Sequence, residues 1–284
     1  MFATLLGSLP RPDLPADAAA EAILEAVMEA QATHGLEPLT DGGWPTDPDP
    51  VRSWRRTSDL ANVLVKVVMA GPYSARSDGR AERRRLEELV DAGCRWIEVH
   101  EPDAVSISTN VDSRRRFVHL HRALTDGLDG VHLSLAIVGG NADAAGIETI
   151  LAGSYASLAL DLVAGPDNWR LAVATPQERG VIAGVYDPTS RTEGPEIGLW
   201  AAGYAASTGG RGMDRVGLAT AGSLAAMSWP AAVKRLRDLG EASRLVTARN
   251  DERLGAVDPR AVDARSAGLG RAEPPPVRRP RDGR

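Results

Sequence analysis

An apolar run, Arg95–Val99, ends abruptly in an ionisable pair, His100-Glu101, which Pro102 closes off. A histidine titrates near neutral pH, and a neighbouring carboxylate can tune it, so this pair suits proton transfer. Similar polar residues follow other short apolar runs: Ser8, Asp41, Ser74, Asn141, Asp161 and Asp187. If those runs are parallel strands, their exits meet in one mouth. Crowded carboxylates and burial there push pKa values apart, which separates acids from bases. His100, Glu101, Asp161 and Asp187 are therefore the expected catalytic groups, and Ser8, Asp41, Ser74 and Asn141 the expected substrate-binding groups. The competing reading is local: Asp and Ser are favoured helix N-caps, and Ser8 and Asn141 suit that role equally well.

The elements that would position these residues alternate regularly. Expected strands are Ala3–Leu6, Glu37–Thr40, Val63–Met69, Arg95–Val99, Val131–Val138, Leu158–Leu160, Val181–Tyr186 and Val216–Ala219. Expected helices are Asp17–Thr33, Arg80–Ala92, Asp112–Leu124, Ala142–Leu151, Asp167–Ala174, Pro195–Ala206 and Trp229–Val246, on the spacing of their apolar residues. The Pro- and Asp-rich segment Pro45–Ser58 reads as a loop. Eight strand-bearing units in about 250 residues predict an α/β fold, a single (β/α)8 TIM barrel whose site lies at the carboxyl ends of the strands. An open doubly wound sheet is the alternative, since counting strands does not prove closure. The barrel is expected over residues 1–250, an extension over 251–267, and a disordered Pro/Arg-rich tail over 268–284.

Composition narrows the function. A net charge of -5 disfavours nucleic-acid binding, which needs a basic face. No apolar run is long enough to span a membrane, and the first residues lack a basic leader followed by a long apolar stretch; both predict a soluble cytoplasmic protein. Cys94 is the single cysteine, so no internal disulfide can form. The remaining histidines are weaker candidates. His119 and His121 read as solvated or half-packed helix residues, His34 as a helix C-terminal cation, and His132 as a floor residue serving stability. The runs Arg83–Arg85 and Arg114–Arg116 read as exposed helix faces. No phosphate-binding or dinucleotide-binding glycine spacing is present.

Several of these strand ends together resemble the C-terminal catalytic barrel of cobalamin-independent methionine synthase. The motifs run in order: LLGSLP at Leu5–Pro10, PLTDGGW at Pro38–Trp44, MAGPYS at Met69–Ser74, and LVDAGCRWIEVHEPDAV at Leu89–Val105. AIVGGNAD at Ala136–Asp143, LALDLV at Leu158–Val163 and AGVYDPTS at Ala183–Ser190 follow. The resemblance reaches about Val246 and implies a closed barrel. That family binds zinc through a histidine, two cysteines and a glutamate, and the metal holds the homocysteine thiolate for methylation by a folate. The resemblance gives those ligand places to Ala136, Val138, Ala221 and Asp161. Gly43, His100 and Thr189 stand where the family carries a glutamate, an aspartate and its acid histidine. A thiol-activating zinc needs soft thiolates.

The resulting expectation is a diverged barrel enzyme acting on a small polar, amino-acid-like metabolite by zinc-free acid–base or alkyl/methyl-transfer chemistry. Two alternatives stand beside it: a non-catalytic ligand-binding or partner subunit, and homocysteine methylation as the family label implies. No cofactor is expected, zinc being disfavoured. A folate remains open, as does a hard divalent cation held by His100, Glu101 and Asp161. The expected partner is a small molecule, with no nucleic acid and no membrane. A homo-oligomer is open through the helix Pro195–Ala206.

Overall fold

A computed structural model describes residues 1–187 and 194–247. The expected extension and tail, 251–267 and 268–284, and the end of the AGVYDPTS motif lie outside the described residues. Seven parallel strands form one curled sheet: β1 (Phe2–Thr4), β2 (Val67–Ala70), β3 (Trp96–His100), β4 (His132–Ile137), β5 (Ser157–Asp161), β6 (Gly180–Tyr186) and β7 (Val216–Thr220). Their order is β1-β7-β6-β5-β4-β3-β2, so the edges are β1 and β2, consecutive in the chain. The helices are α1 (Ala20–Thr33), α2 (Pro50–Asp59), α3 (Arg80–Asp91), α4 (Val111–Thr125), α5 (Ile147–Ile150), α6 (Trp169–Ala174), α7 (Glu196–Ser207) and α8 (Trp229–Thr247). Among the described residues, no helix is long and apolar enough to cross a membrane.

The expected second strand, Glu37–Thr40, is not one. It lies between the two edges and makes only an isolated bridge, Leu39 with Val65. Its backbone nevertheless touches both sides. Glu37 N donates to Ala3 O at 2.8 Å, Leu39 N to Leu64 O at 2.9 Å, and Lys66 N to Leu39 O at 2.8 Å. Pro38 has no N–H to give a ladder, which limits the pairing here. Its carbonyl instead accepts from the Thr4 hydroxyl at 2.8 Å.

Two helical expectations change. Pro45–Ser58 is not all loop, because α2 begins at Pro50. Asp49 caps it, its carboxylate accepting from Arg52 N at 2.9 Å, and Pro50 supplies a preset first position. The expected helix Ala142–Leu151 breaks into a 3-10 turn and the short α5, because Gly146 between them sits at φ +86°.

The strands divide the interior into two layers. In β3, Ile97 and Val99 join the large outer core under the helices, while Trp96 joins a small inner cluster with Leu6, Ala136, Ala159, Ile182 and Ala219. Side chains alternate across a sheet, so Glu98 and His100 follow Trp96 inward and Glu101 does not. The inner cluster is rich in alanine, which leaves room inside the curl. Near its floor His132 packs against Trp96 (ring centroids 3.8 Å apart, planes tilted by 35°) and its Nε2 lies 2.8 Å from Ser157 Oγ.

Candidate active site

Lys66 and Glu98 are both fully buried on the inner face. Lys66 Nζ donates to Glu98 Oε2 at 2.7 Å, and Glu98 Oε1 lies 2.8 Å from His100 Nε2. The three side chains form a line from the interior to the mouth, where the His100 side chain is 15% exposed. Burial by itself would raise the Glu98 pKa. The Lys66 ammonium and the His100 bond outweigh it and hold the carboxyl down at about 2. Burial pulls Lys66 below the usual ammonium range, against the attraction of Glu98. Because Glu98 is an acceptor, it places the Nε2 proton on His100 and leaves Nδ1 as the second exchangeable position.

His100 opens into a cavity of about 590 Å3, within the range of small-molecule sites (~300–1,000 Å3). Ser8, Asp41, Val138 and Ser223 line the same space. Ser8 Oγ and Ser223 Oγ are 2.7 Å apart, each able to donate. Burial raises the Asp41 pKa, and the bond its carboxylate accepts from Gly43 N (2.9 Å) only partly offsets this. Inward Lys66 and Val68 line the cavity together with outward Val65 and Val67. The cavity therefore crosses the sheet beside the poorly paired segment Glu37–Thr40, and continues between α2 and α3.

The other expected site residues lie elsewhere. Glu101 does not partner His100. It is buried on the outer side, and its two oxygens accept from Tyr73 N at 2.9 Å and Ser74 N at 2.7 Å. Gly71 permits that approach, since a Cβ there would stand 2.1 Å from Glu101 Oε1. His121, expected to be solvated or half-packed, is fully buried beside it. Its Nε2 is 3.1 Å from Glu101 Oε1 but off the hydrogen-bonding direction, and its Nδ1 is 2.6 Å from Tyr155 Oη. Ser74 Oγ accepts from Asp103 N at 3.0 Å, tying two exit loops together. Asn141 does the same through Asp167, accepting from Asp167 N at 2.8 Å.

Asp161 ends β5 on the inner side, near Gly222, but its oxygens accept from three backbone amides: Gly139 (3.0 Å), Val163 (3.0 Å) and Ala164 (2.9 Å). Asp187 directly follows β6 and is half-buried. The expected cation site of His100, Glu101 and Asp161 does not assemble, because Glu101 faces the opposite side of the sheet. Among the described residues, no cluster of three or more His, Cys, Asp or Glu side chains could hold a metal ion. Cys94 is buried before β3, at the far end of that strand from His100, and burial raises its thiol to about 11. Sequence reasoning missed Lys66, Glu98 and Ser223. The first two carried a signal, each being a charge inside an otherwise apolar run.

These features define a class: a curled parallel α/β sheet with a small-molecule cavity at the carboxyl ends of its strands. No family model matches the sequence, and no curated protein does. Among solved structures, the chain is similar to a B12-independent methionine synthase from Shewanella sp. W3-18-1 in complex with selenomethionine. The TM-score is 0.73 at 12% identity, over 87% of this chain and 97% of that one. It is also similar to a protein assigned as a vitamin-B12-independent methionine synthase from Listeria monocytogenes, with TM-score 0.68 at 12% identity, over 87% of this chain and 98% of that one. At such identity the likeness is one of fold.

Proposed function

We propose that this chain is an acid–base enzyme acting on a small polar, amino-acid-like metabolite, with His100 as the group that moves the proton. The observation that carries this reading is the buried line Lys66–Glu98–His100 ending in a cavity. An ionised carboxylate fixes the imidazole's tautomer and orientation, as a general base requires. Asp41, its pKa raised at the same cavity, is the second proton carrier. Ser8 and Ser223 offer hydroxyls to a polar substrate, and Asp187 stands beyond the end of β6 as an orienting carboxylate. We read segment 37–40 as the eighth member of a (β/α)8 ring.

The fold neighbour solved with selenomethionine supports an amino-acid-like ligand. The zinc of the resembled family does not fit these residues. The ligand places carry Ala136, Val138 and Ala221, which donate nothing, and Asp161, whose oxygens already accept from three amides. The chemistry read here runs without that metal.

The test is proton exchange. The protein is incubated in D2O with a panel of amino acids and their keto and thioether analogues, and C–H signals are followed by NMR. At least one compound loses a C–H signal or turns over, and His100→Gln slows this by about 10²–10⁴-fold while the thermal transition is kept. No exchange across the panel, or a variant as active as the parent, overturns the reading and favours a binding scaffold.

A further inference from the structure

Two exposed helix faces of opposite charge stand apart on this fold. On α4, Arg114, Arg115, Arg116 and Arg122 face a single acidic residue of the same helix, Asp112. A shallow groove on its outer surface lies between two neighbouring rows spaced four residues apart, Val111-Arg115-His119 and Arg114-Val118-Arg122. Among the described residues no carboxylate lines it. Asp112 stands at its edge, 3.9 Å from Arg115. Arg114 donates to the carbonyls of Ser108 and Ala144, which leave its charge uncancelled. Arg122 and His119 are exposed and have no ion pair among the described residues. Val111, at 56%, is the most exposed large hydrophobic side chain described.

The counterpart is α1, which carries Glu21, Glu25 and Glu29 and no basic residue. All three are exposed, and at intervals of four they form one row along the helix. Glu21 has Arg56 at 3.9 Å; Glu25 and Glu29 have no ion pair among the described residues. Leu60 and Val63, 44% and 41% exposed, line a second groove together with Glu25 and Glu29. One chain cannot join its own two faces. Arg56 of α2 reaches α1, α2 packs on α3 and α3 on α4, so two helices stand between them.

We propose that α1 of one copy docks on α4 of a second copy. The glutamate row enters the groove between the two rows of α4, the commonest way in which helices interdigitate. Arg115 and His119 then flank the carboxylates on one side, and Arg114 and Arg122 on the other. Leu60 and Val63 supply the apolar cover that Val111 and Val118 lack. The net charge of -5 makes copies repel at a distance, and the complementary faces select the one approach in which they attract. Exposed ion pairs are individually weak, so the contact is reversible. It is also head-to-tail: each added copy leaves one acidic and one basic face unused, and the assembly grows with concentration.

The test is sedimentation velocity of the full chain from about 10 µM to about 1 mM, where weak contacts show. At low salt the parent's mean sedimentation coefficient rises with concentration, and about 0.5 M NaCl returns it to the monomer value. Arg115→Glu with Arg122→Glu, and Glu25→Arg with Glu29→Arg, change exposed helix positions and keep the thermal transition. Each double variant alone stays monomeric. Their equimolar mixture forms a 1:1 dimer that grows no further, because each partner keeps one native face. All four changes in one chain restore self-association. Should a double variant not fold, Arg122→Gln and Glu29→Gln serve instead, each weakening the parent's association severalfold. A parent that stays monomeric at low salt, variants that associate as the parent does, or a mixture without dimer overturns the proposal and leaves the two faces to other occupants.

Discussion

Strand β3 and the residue just after it carry two carboxylates, three residues apart, and each lies beside a histidine. On the inner face Glu98 meets His100; on the outer face Glu101 meets His121. Both carboxylates are fully buried. Their surroundings assign them opposite work. Glu98 has a side-chain cation behind it and a partly exposed imidazole in front, so its charge is carried to the edge of a cavity. Glu101 has backbone amides in front and a sealed histidine behind, so its charge fastens the loop after β2. The same two residue types thus make a buried polar line that reaches the cavity on one side of a sheet and a loop anchor on the other. What separates them is a shift of strand parity, which decides whether the partner is reachable by a ligand.

The sharpest way to break this contrast is at Glu98. Glu98→Gln leaves the Lys66 ammonium buried without a counter-charge, and breaking a buried pair from one side costs about 3–5 kcal/mol. Urea unfolding at pH 7 shows that loss. Turnover falls as well, because His100 no longer faces an ionised acceptor. The double replacement Lys66→Met with Glu98→Met recovers most of the stability without recovering turnover. If the double variant is as active as the parent, the inner line is structural and the contrast collapses.

Glu101→Gln, on the outer side, retains one acceptor oxygen and orphans a loop amide, at about 1–3 kcal/mol. Hydrogen exchange accelerates at Tyr73 and Ser74, while proton transfer at His100 changes far less than in Glu98→Gln. Equal losses of turnover in the two variants would erase the distinction between the faces.

The smallest effect concerns pH. Burial holds His132 neutral, with its pKa lowered to about 4 from 6.5. The unfolded chain therefore takes up the proton first, and stability present above 6.5 is lost as pH falls toward 4. Glu98, held at about 2 against 4.5 unfolded, contributes stability that is full above 4.5 and lost as pH falls toward 2. Urea midpoints measured from pH 7 to 4.5 decline in the parent protein. They decline less in His132→Gln, and unchanged slopes would remove His132 from the account.

Much of this arrangement is written in the chain. The run Trp96-Ile97-Glu98-Val99-His100 contains its own parity: a glutamate two residues before His100, inside an apolar strand, must share its face. Lys66, inside Val63–Met69, likewise needs a buried counter-charge. Taking His100-Glu101 as one unit overlooked the alternation that sends them apart. The Asp49-Pro50 step carried the start of α2, hidden by a composition that resembles a loop. Other features depend on what lies across space. The pairing of Ser8 with Ser223, and the use of Asp161 by three amides from two loops, follow from how distant segments meet and have no local signature. The expectation that strand exits would all serve the mouth failed for a similar reason. Ser74 and Asn141 leave the right strands, but neighbouring loops claim their polar atoms.

The thinly stitched segment at Glu37–Thr40 has a consequence for how such a molecule changes over generations. A ring laced evenly all round admits visitors only over its rim, so any new diet must be negotiated among the residues that perform the reaction. Here a side door stands next to the rim, hung on a helix that carries none of the Lys66–Glu98–His100 line. Substitutions on that helix can widen, narrow or recharge the doorway while Lys66, Glu98 and His100 stay as they are.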